Sequence, residues 1–192
     1  MRSITKFSAV LAVAAIAVAT GLSPASADTI NSTVSGGSLT VTTAAPTLSA
    51  VTLNGSNTQT STGTSAPWTI TDARGTGAAW TVSASTTVFT SAAGTAETVA
   101  RTIPATALTV TPGTITAGSG ADSAASITAP VLALSTTNQA LISATGPNKG
   151  TYNVSPSFSI AIPANAFRSN YSGVVGSSAL NPYTATMTYT IG

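Results

Sequence analysis

The sequence predicts an all-β protein: an antiparallel β-sandwich or partly closed barrel with Greek-key-like connections, behind an N-terminal signal helix. Three observations carry that prediction. Stretches in which apolar residues alternate with Thr or Ser recur along the chain, Pro and Gly punctuate it roughly every ten residues, and no segment after the signal has a charged amphipathic helical pattern. A strand with Thr on one side and apolar residues on the other suits a sheet with one wet face.

The chain opens as an export signal. Arg2 and Lys6 precede an apolar run over residues 7–20, Gly21 and Pro24 break any helix, and Ala25-Ser26-Ala27 offers small side chains to a signal peptidase. Cleavage between Ala27 and Asp28 is the natural reading. The alternative is a retained membrane anchor, but the run is shorter than the ~20 apolar residues of a span. The expected organisation is a cleavable signal over residues 1–27, a short polar segment over 28–37 and a single β domain over 38–192. The product is then secreted, with no membrane span after cleavage. The chain has no Cys, which excludes a lipid-modified N-terminus and leaves stability to burial and backbone pairing.

Once Arg2 and Lys6 leave with the signal, Arg74, Arg101, Lys149 and Arg168 balance Asp28, Asp72, Glu97 and Asp122. No basic stripe exists to neutralise phosphates, so nucleic-acid binding is excluded. The same count disfavours an electrostatic grip on anionic wall polymers. Hydrogen bonds, aromatic stacking and backbone pairing are what remain to hold a ligand.

Taken in order, Ser38-Leu39-Thr40-Val41-Thr42 and Ala50-Val51-Thr52-Leu53 alternate as strands do, and residues 54–65, almost without apolar side chains, read as a loop. Trp68-Thr69-Ile70-Thr71 and Ala79-Trp80-Thr81-Val82-Ser83 flank Asp72-Ala73-Arg74-Gly75-Thr76-Gly77. This pattern predicts a hairpin, with Trp68 and Ile70 sharing one face and Trp80 and Val82 sharing one face of the partner strand. Gly75 and Gly77 are expected at positive φ, and Asp72 is expected to cap the turn and pair with Arg74. Residues 101–105 and 108–110 read as strand pieces and 118–126 as a loop. Residues 127–134 and 139–144 read as strands or a short helix. Period two returns over 150–154 and 158–162, Pro163 ends that strand, and 165–168 form a helical turn or tight corner. The clearest strand spans 183–191, with Tyr183, Ala185, Met187, Tyr189 and Ile191 on one side.

Catalysis finds little to work with. There is no His and no Cys, which removes the usual general base, the thiol nucleophile and nearly all transition-metal sites. Lys149 is the one lysine after the signal. Asp72, Glu97 and Asp122 supply carboxylates enough for glycoside hydrolysis, but no two share a strand or motif. No calcium-type Asp/Asn cluster is present either. The expectation is a protein that is not an enzyme and needs no cofactor and no metal.

The tryptophan and tyrosine segments resemble the WxL domain family of Gram-positive surface proteins, which carries a Trp-x-Leu motif and a distal Tyr-x-x-x-Leu-Thr-Trp-x-Leu motif. Trp80-Thr81-Val82 matches the first with Val for Leu, and Thr71-Asp72-Ala73-Arg74-Gly75 precedes it much as in the family. Tyr183-Thr184-Ala185-Thr186-Met187-Thr188-Tyr189-Thr190-Ile191 matches the second, with Met for Leu, Tyr for Trp and Ile for Leu. Each departure keeps apolar or aromatic character and suggests a divergent, actinobacterial relative. The resemblance covers essentially the whole chain after the signal. It implies an all-β domain held non-covalently at the cell wall, recognising peptidoglycan or another wall glycan and acting with other surface proteins.

The candidate ligand-binding residues are Trp68, Trp80, Val82, Tyr183, Met187 and Tyr189, because aromatic faces stack on sugar rings. Their period-two spacing equally describes the inner face of a sandwich, and that core reading is favoured for Trp80 and the tyrosine row. Trp68, beside Pro67 at the start of its strand, divides evenly between the two. The alternative function is a structural surface subunit that self-assembles or docks on a partner surface protein. Low charge and Thr-rich edges permit that association, and the polar N-terminal extension is the strand such a subunit would donate.

Overall fold

Alternating Thr and apolar residues can bury one side chain in two only if sheets face each other across a shared core. The computed structural model describes residues 29–192, and the signal expected over 1–27 lies outside them. Residues 29–34 form an exposed segment, and the compact unit runs from Ser35 to Gly192.

Three antiparallel sheets make up this unit, and none closes into a barrel. The first has the order β1 (Leu39–Thr42), β4 (Trp68–Asp72), β13 (Gly150–Val154), β9 (Ile115–Ala117). The second runs β10 (Ile127–Thr128), β12 (Gln139–Ala144), β5 (Trp80–Thr86), β17 (Met187–Ile191). The third runs β11 (Leu132–Ala133), β8 (Leu108–Thr111), β14 (Ser157–Ile162), β3 (Gln59–Thr64), β2 (Thr47–Leu48). Two small ladders, β6 (Phe89–Ser91) with β7 (Arg101–Ile103) and β15 (Asn170–Tyr171) with β16 (Leu180–Asn181), form an annex. The chain is all-β and sandwich-like, as the alternation predicts.

The expected hairpin is not one. β4 pairs with β1 and β13, whereas β5 pairs with β12 and β17, so residues 73–79 carry the chain from one sheet to another. The reason lies in the corner itself. Buried Asp72 accepts from the Arg74 main-chain N–H at 3.0 Å, from Nε at 2.9 Å and from Nη2 at 3.0 Å. Arg74 Nη2 also donates to the carbonyl of Ala78 at 2.9 Å, so a single guanidinium holds both ends of the loop. Gly75 and Gly77 take φ of 73° and 68°, the left-handed values expected of them. The result sets Trp68 and Trp80 on two sheets instead of neighbouring strands.

Residues 59–64, expected to be loop, form β3, a strand flanked by β14 and β2. Gln-Thr-Ser-Thr-Gly-Thr has no apolar side chain to reveal it. Its buried Ser61 donates to the carbonyl of Ser49 at 2.5 Å, which satisfies the hydroxyl without water. Gly63 lets the Thr47 carbonyl approach where any Cβ would collide. Residues 54–57 are the loop proper, an Asx turn in which Asn54 Oδ1 accepts from the Ser56 N–H at 3.1 Å. Residues 139–144 are strand and not helix.

The core is an aromatic chain across sheets. Trp68 stands edge-on to Tyr189 of the second sheet, with ring centroids 5.0 Å apart, and is tilted against Phe158 of the third at 6.1 Å. Trp80 is tilted against Tyr152 of the first sheet at 6.1 Å. Ile70, Val82, Val110, Leu134, Leu141 and Ile142 fill the space between, all without solvent contact. Each indole finds an acceptor: Trp68 Nε1 donates to the Ala44 carbonyl at 3.4 Å and Trp80 Nε1 to that of Asn148 at 3.2 Å. Truncation of either tryptophan removes a fully buried ring, so Trp68→Ala and Trp80→Ala should each cost about 3–5 kcal/mol of stability. Guanidinium unfolding followed by circular dichroism measures this.

Candidate functional site

The sequence-derived candidates separate into two sets. Trp68, Trp80 and Val82 have essentially no solvent contact and belong to the core. Tyr183, Met187 and Tyr189 are half-buried and line one groove. Residues 183–191 keep their alternation, with odd-numbered side chains turned inward, although the ladder with β5 begins only at Met187.

The groove, of about 440 Å³, has two walls. One is the terminal strand and its approach, through Tyr183, Ala185, Met187 and Tyr189. The other is the link between β1 and β2, through Ala44, Pro46 and Leu48. Phe89 and Leu108 also line the groove. Trp68 bears on it from below: it buttresses Tyr189 edge-on and anchors the link through Ala44. Trp68 therefore sets the separation of the walls without touching what lies between them. The link was not legible as part of a site, since Thr-Ala-Ala-Pro carries no chemistry of its own.

Hydroxyls fix the groove's tyrosines. Tyr183 Oη donates to the Phe167 carbonyl at 2.9 Å and Tyr189 Oη to the Met187 sulfur at 3.5 Å. Burial pushes both phenols up, Tyr189 to about 12, so each stays a neutral donor.

β17 also ends its sheet. Gly192 exchanges both main-chain hydrogen bonds with Thr81, and the Thr186 carbonyl accepts from Thr87, so the even-numbered residues face β5. The main-chain groups of Met187, Tyr189 and Ile191 consequently point to the unpaired side.

A second concavity, about 480 Å³, lies in the annex between residues 97–102 and Phe167. Glu97 organises it, accepting from Arg101 at 2.8 Å, from both terminal nitrogens of Arg168 at 3.0 and 2.6 Å, and from the Tyr171 main chain. Arg168, then the Tyr171 N–H, draw the Glu97 carboxyl down to about 2. The Arg168 guanidinium lies 4.1 Å from the Tyr171 ring centroid and that of Arg101 lies 5.2 Å from Phe167. The signal that would have found this cluster is the Glu97–Arg101 pair in a chain with so few charges.

Fold and groove together define a class: an all-β domain presenting a largely apolar and aromatic surface cleft. Residues 24–191 match the model of the WxL domain, surface cell wall-binding, and the chain belongs to that family. It is a cell-surface, wall-binding protein on that evidence. No curated protein and no solved structure matches the chain. No helix among the described residues is long and apolar enough to cross a membrane.

The carboxylates give a pH signature. Arg74 lowers Asp72 and Lys149 lowers Asp122, as Arg168 lowers Glu97. A depressed carboxyl stabilises the fold above its ordinary range, and that contribution disappears as pH falls through the folded value. The thermal midpoint should therefore fall as pH drops from 4.5 toward about 2. At the alkaline end the sign reverses: Tyr189 should lose its contribution as pH rises from 10 to about 12. Scanning calorimetry across both ranges checks the two limbs.

Proposed function

We propose that this protein holds to the wall non-covalently by binding the glycan of peptidoglycan in the groove between residues 43–48 and the terminal strand. The observation that supports this reading is the half-buried row of Tyr183, Met187 and Tyr189, braced by Trp68 at 5.0 Å. A sugar ring has an apolar face and a hydroxyl rim, and a neutral cleft with fixed aromatic side chains complements both. No charge on the ligand is needed. The family's wall-binding character supplies the polymer, and the Ala25-Ser26-Ala27 signal, cleaved before Asp28, delivers the domain outside the membrane. The domain acts without catalysing a reaction.

The test is sedimentation of the exported protein with insoluble peptidoglycan. Wild type should co-sediment, and the double variant Tyr183→Ala, Met187→Ala should bind at least about tenfold more weakly while keeping its circular dichroism spectrum, a loss of about 1.4 kcal/mol. Equal binding by the two would move the glycan elsewhere. Trp80→Ala is a poor probe, because its cavity would weaken the whole domain.

Self-association is a second reading, favoured by the unpaired edge of β17 together with the exposed segment over residues 29–34, where Ile30 and Val34 are 94% and 93% exposed. In Thr-Ile-Asn-Ser-Thr-Val, Ile30 and Val34 fall on one side of an extended strand, which suits a donated strand. Deleting residues 29–34 should convert any dimer seen by light scattering to monomer; an unchanged mass sinks this reading.

A further inference from the structure

The annex concavity has chemistry that the main groove lacks. Among the described residues Arg74 is paired with Asp72 and Lys149 with Asp122, each one to one. Glu97 alone serves two cations, Arg101 and Arg168. Two guanidiniums therefore converge on one carboxylate here.

Arg101 is the member of the pair that lines the concavity. Nη1 donates to the Arg168 carbonyl at 2.8 Å and Nη2 to Glu97 at 2.8 Å. A guanidinium has five N–H groups, so further donors remain for a planar acceptor. Around it stand Phe167, 69% exposed, Val99, 75% exposed, and the side chains of Thr98 and Thr102. Exposed Phe and Val beside a guanidinium with spare donors form two halves of one recognition surface: an apolar shelf and an anion fork.

We propose that this concavity is a second ligand site, taking the free carboxylate of a short apolar peptide on Arg101 with the adjoining small side chains against Phe167 and Val99. A lone anion would leave the apolar shelf unused, and an uncharged chain would leave the fork unused. The assignment of a natural ligand rests on the wall-binding reading above: the carboxylate-bearing class within peptidoglycan is the peptide attached to its glycan. Tyr183 ties the two sites together, lining the glycan groove while its hydroxyl holds the Phe167 carbonyl.

The test titrates the exported protein with N-acetyl-alanyl-alanine and, separately, with its C-terminal carboxamide, following main-chain NMR shifts. The free acid should shift signals at residues 97–102 and 167, and the carboxamide should bind at least about tenfold more weakly, the effect of losing a charge-assisted hydrogen bond. Arg101→Gln leaves the Glu97–Arg168 pair in place and should lose the same factor. Phe167→Ala, at an exposed position, should weaken acid and amide alike without unfolding the domain. Equal binding of acid and amide, or no shift with either, overturns the proposal. Sedimentation with peptidoglycan is read independently: a wild type that sediments but ignores the acid refutes this site alone. One that takes the acid but leaves the wall in solution refutes the wall reading and keeps the site.

Discussion

The Asp72–Arg74 pair is the constraint on which the arrangement rests. A carboxylate removed from water is costly unless its lone pairs are filled, and here one neighbour fills them with three donors. Such a pair stores little net stability. What it does is specify a direction. With Arg74 also holding the far end of the loop, and β1 and β13 occupying both flanks of β4, the strand after the corner enters another sheet. That crossing puts the two tryptophans on different layers, and the aromatic chain through Phe158, Tyr152 and Tyr189 follows from it.

From this frame the groove inherits its shape. Tyr189 is held by Trp68, the opposite wall is held by the same indole through Ala44, and both depend on β4 lying where the corner puts it. A residue without solvent contact thus governs a surface it never reaches. This reconciles the two sequence-level readings of the aromatic residues, which set core against site. Trp68 and Trp80 are core, and the tyrosine row is half core and half groove wall.

Much of the fold was legible because period two survives wherever one face is buried: β4, β5, β13, β14 and the terminal strand all alternate in burial as their sequences do. β3 was not, since its inward positions carry Gln, Ser and Gly, and burial there is satisfied by hydrogen bonds and close backbone approach. The corner is hidden for a different reason. Asp, Gly and Gly between two alternating runs describe both a hairpin turn and a sheet-to-sheet crossing, and only Arg74 reaching to Ala78 separates them. Of the groove, the Tyr183, Met187 and Tyr189 wall could be read. The wall over residues 43–48 could not, because nothing local says that it lies opposite a strand some 140 residues away.

That separation also governs how the protein comes to its final form. β17 pairs with β5 across about a hundred residues, and β13 pairs with β4 across about eighty, so few native contacts can form early. Assembly of such a topology is slow, because loop closure must precede the contacts that reward it. A chain emerging from its N-terminus in synthesis leaves Trp80 without Tyr152 until β13 is made, and Trp68 without Tyr189 until the terminal strand closes the second sheet. During that interval the same Thr-rich, nearly uncharged strands are open to pairing with other chains. The order in which the strands are made, as much as the finished structure, therefore sets the yield of folded domain.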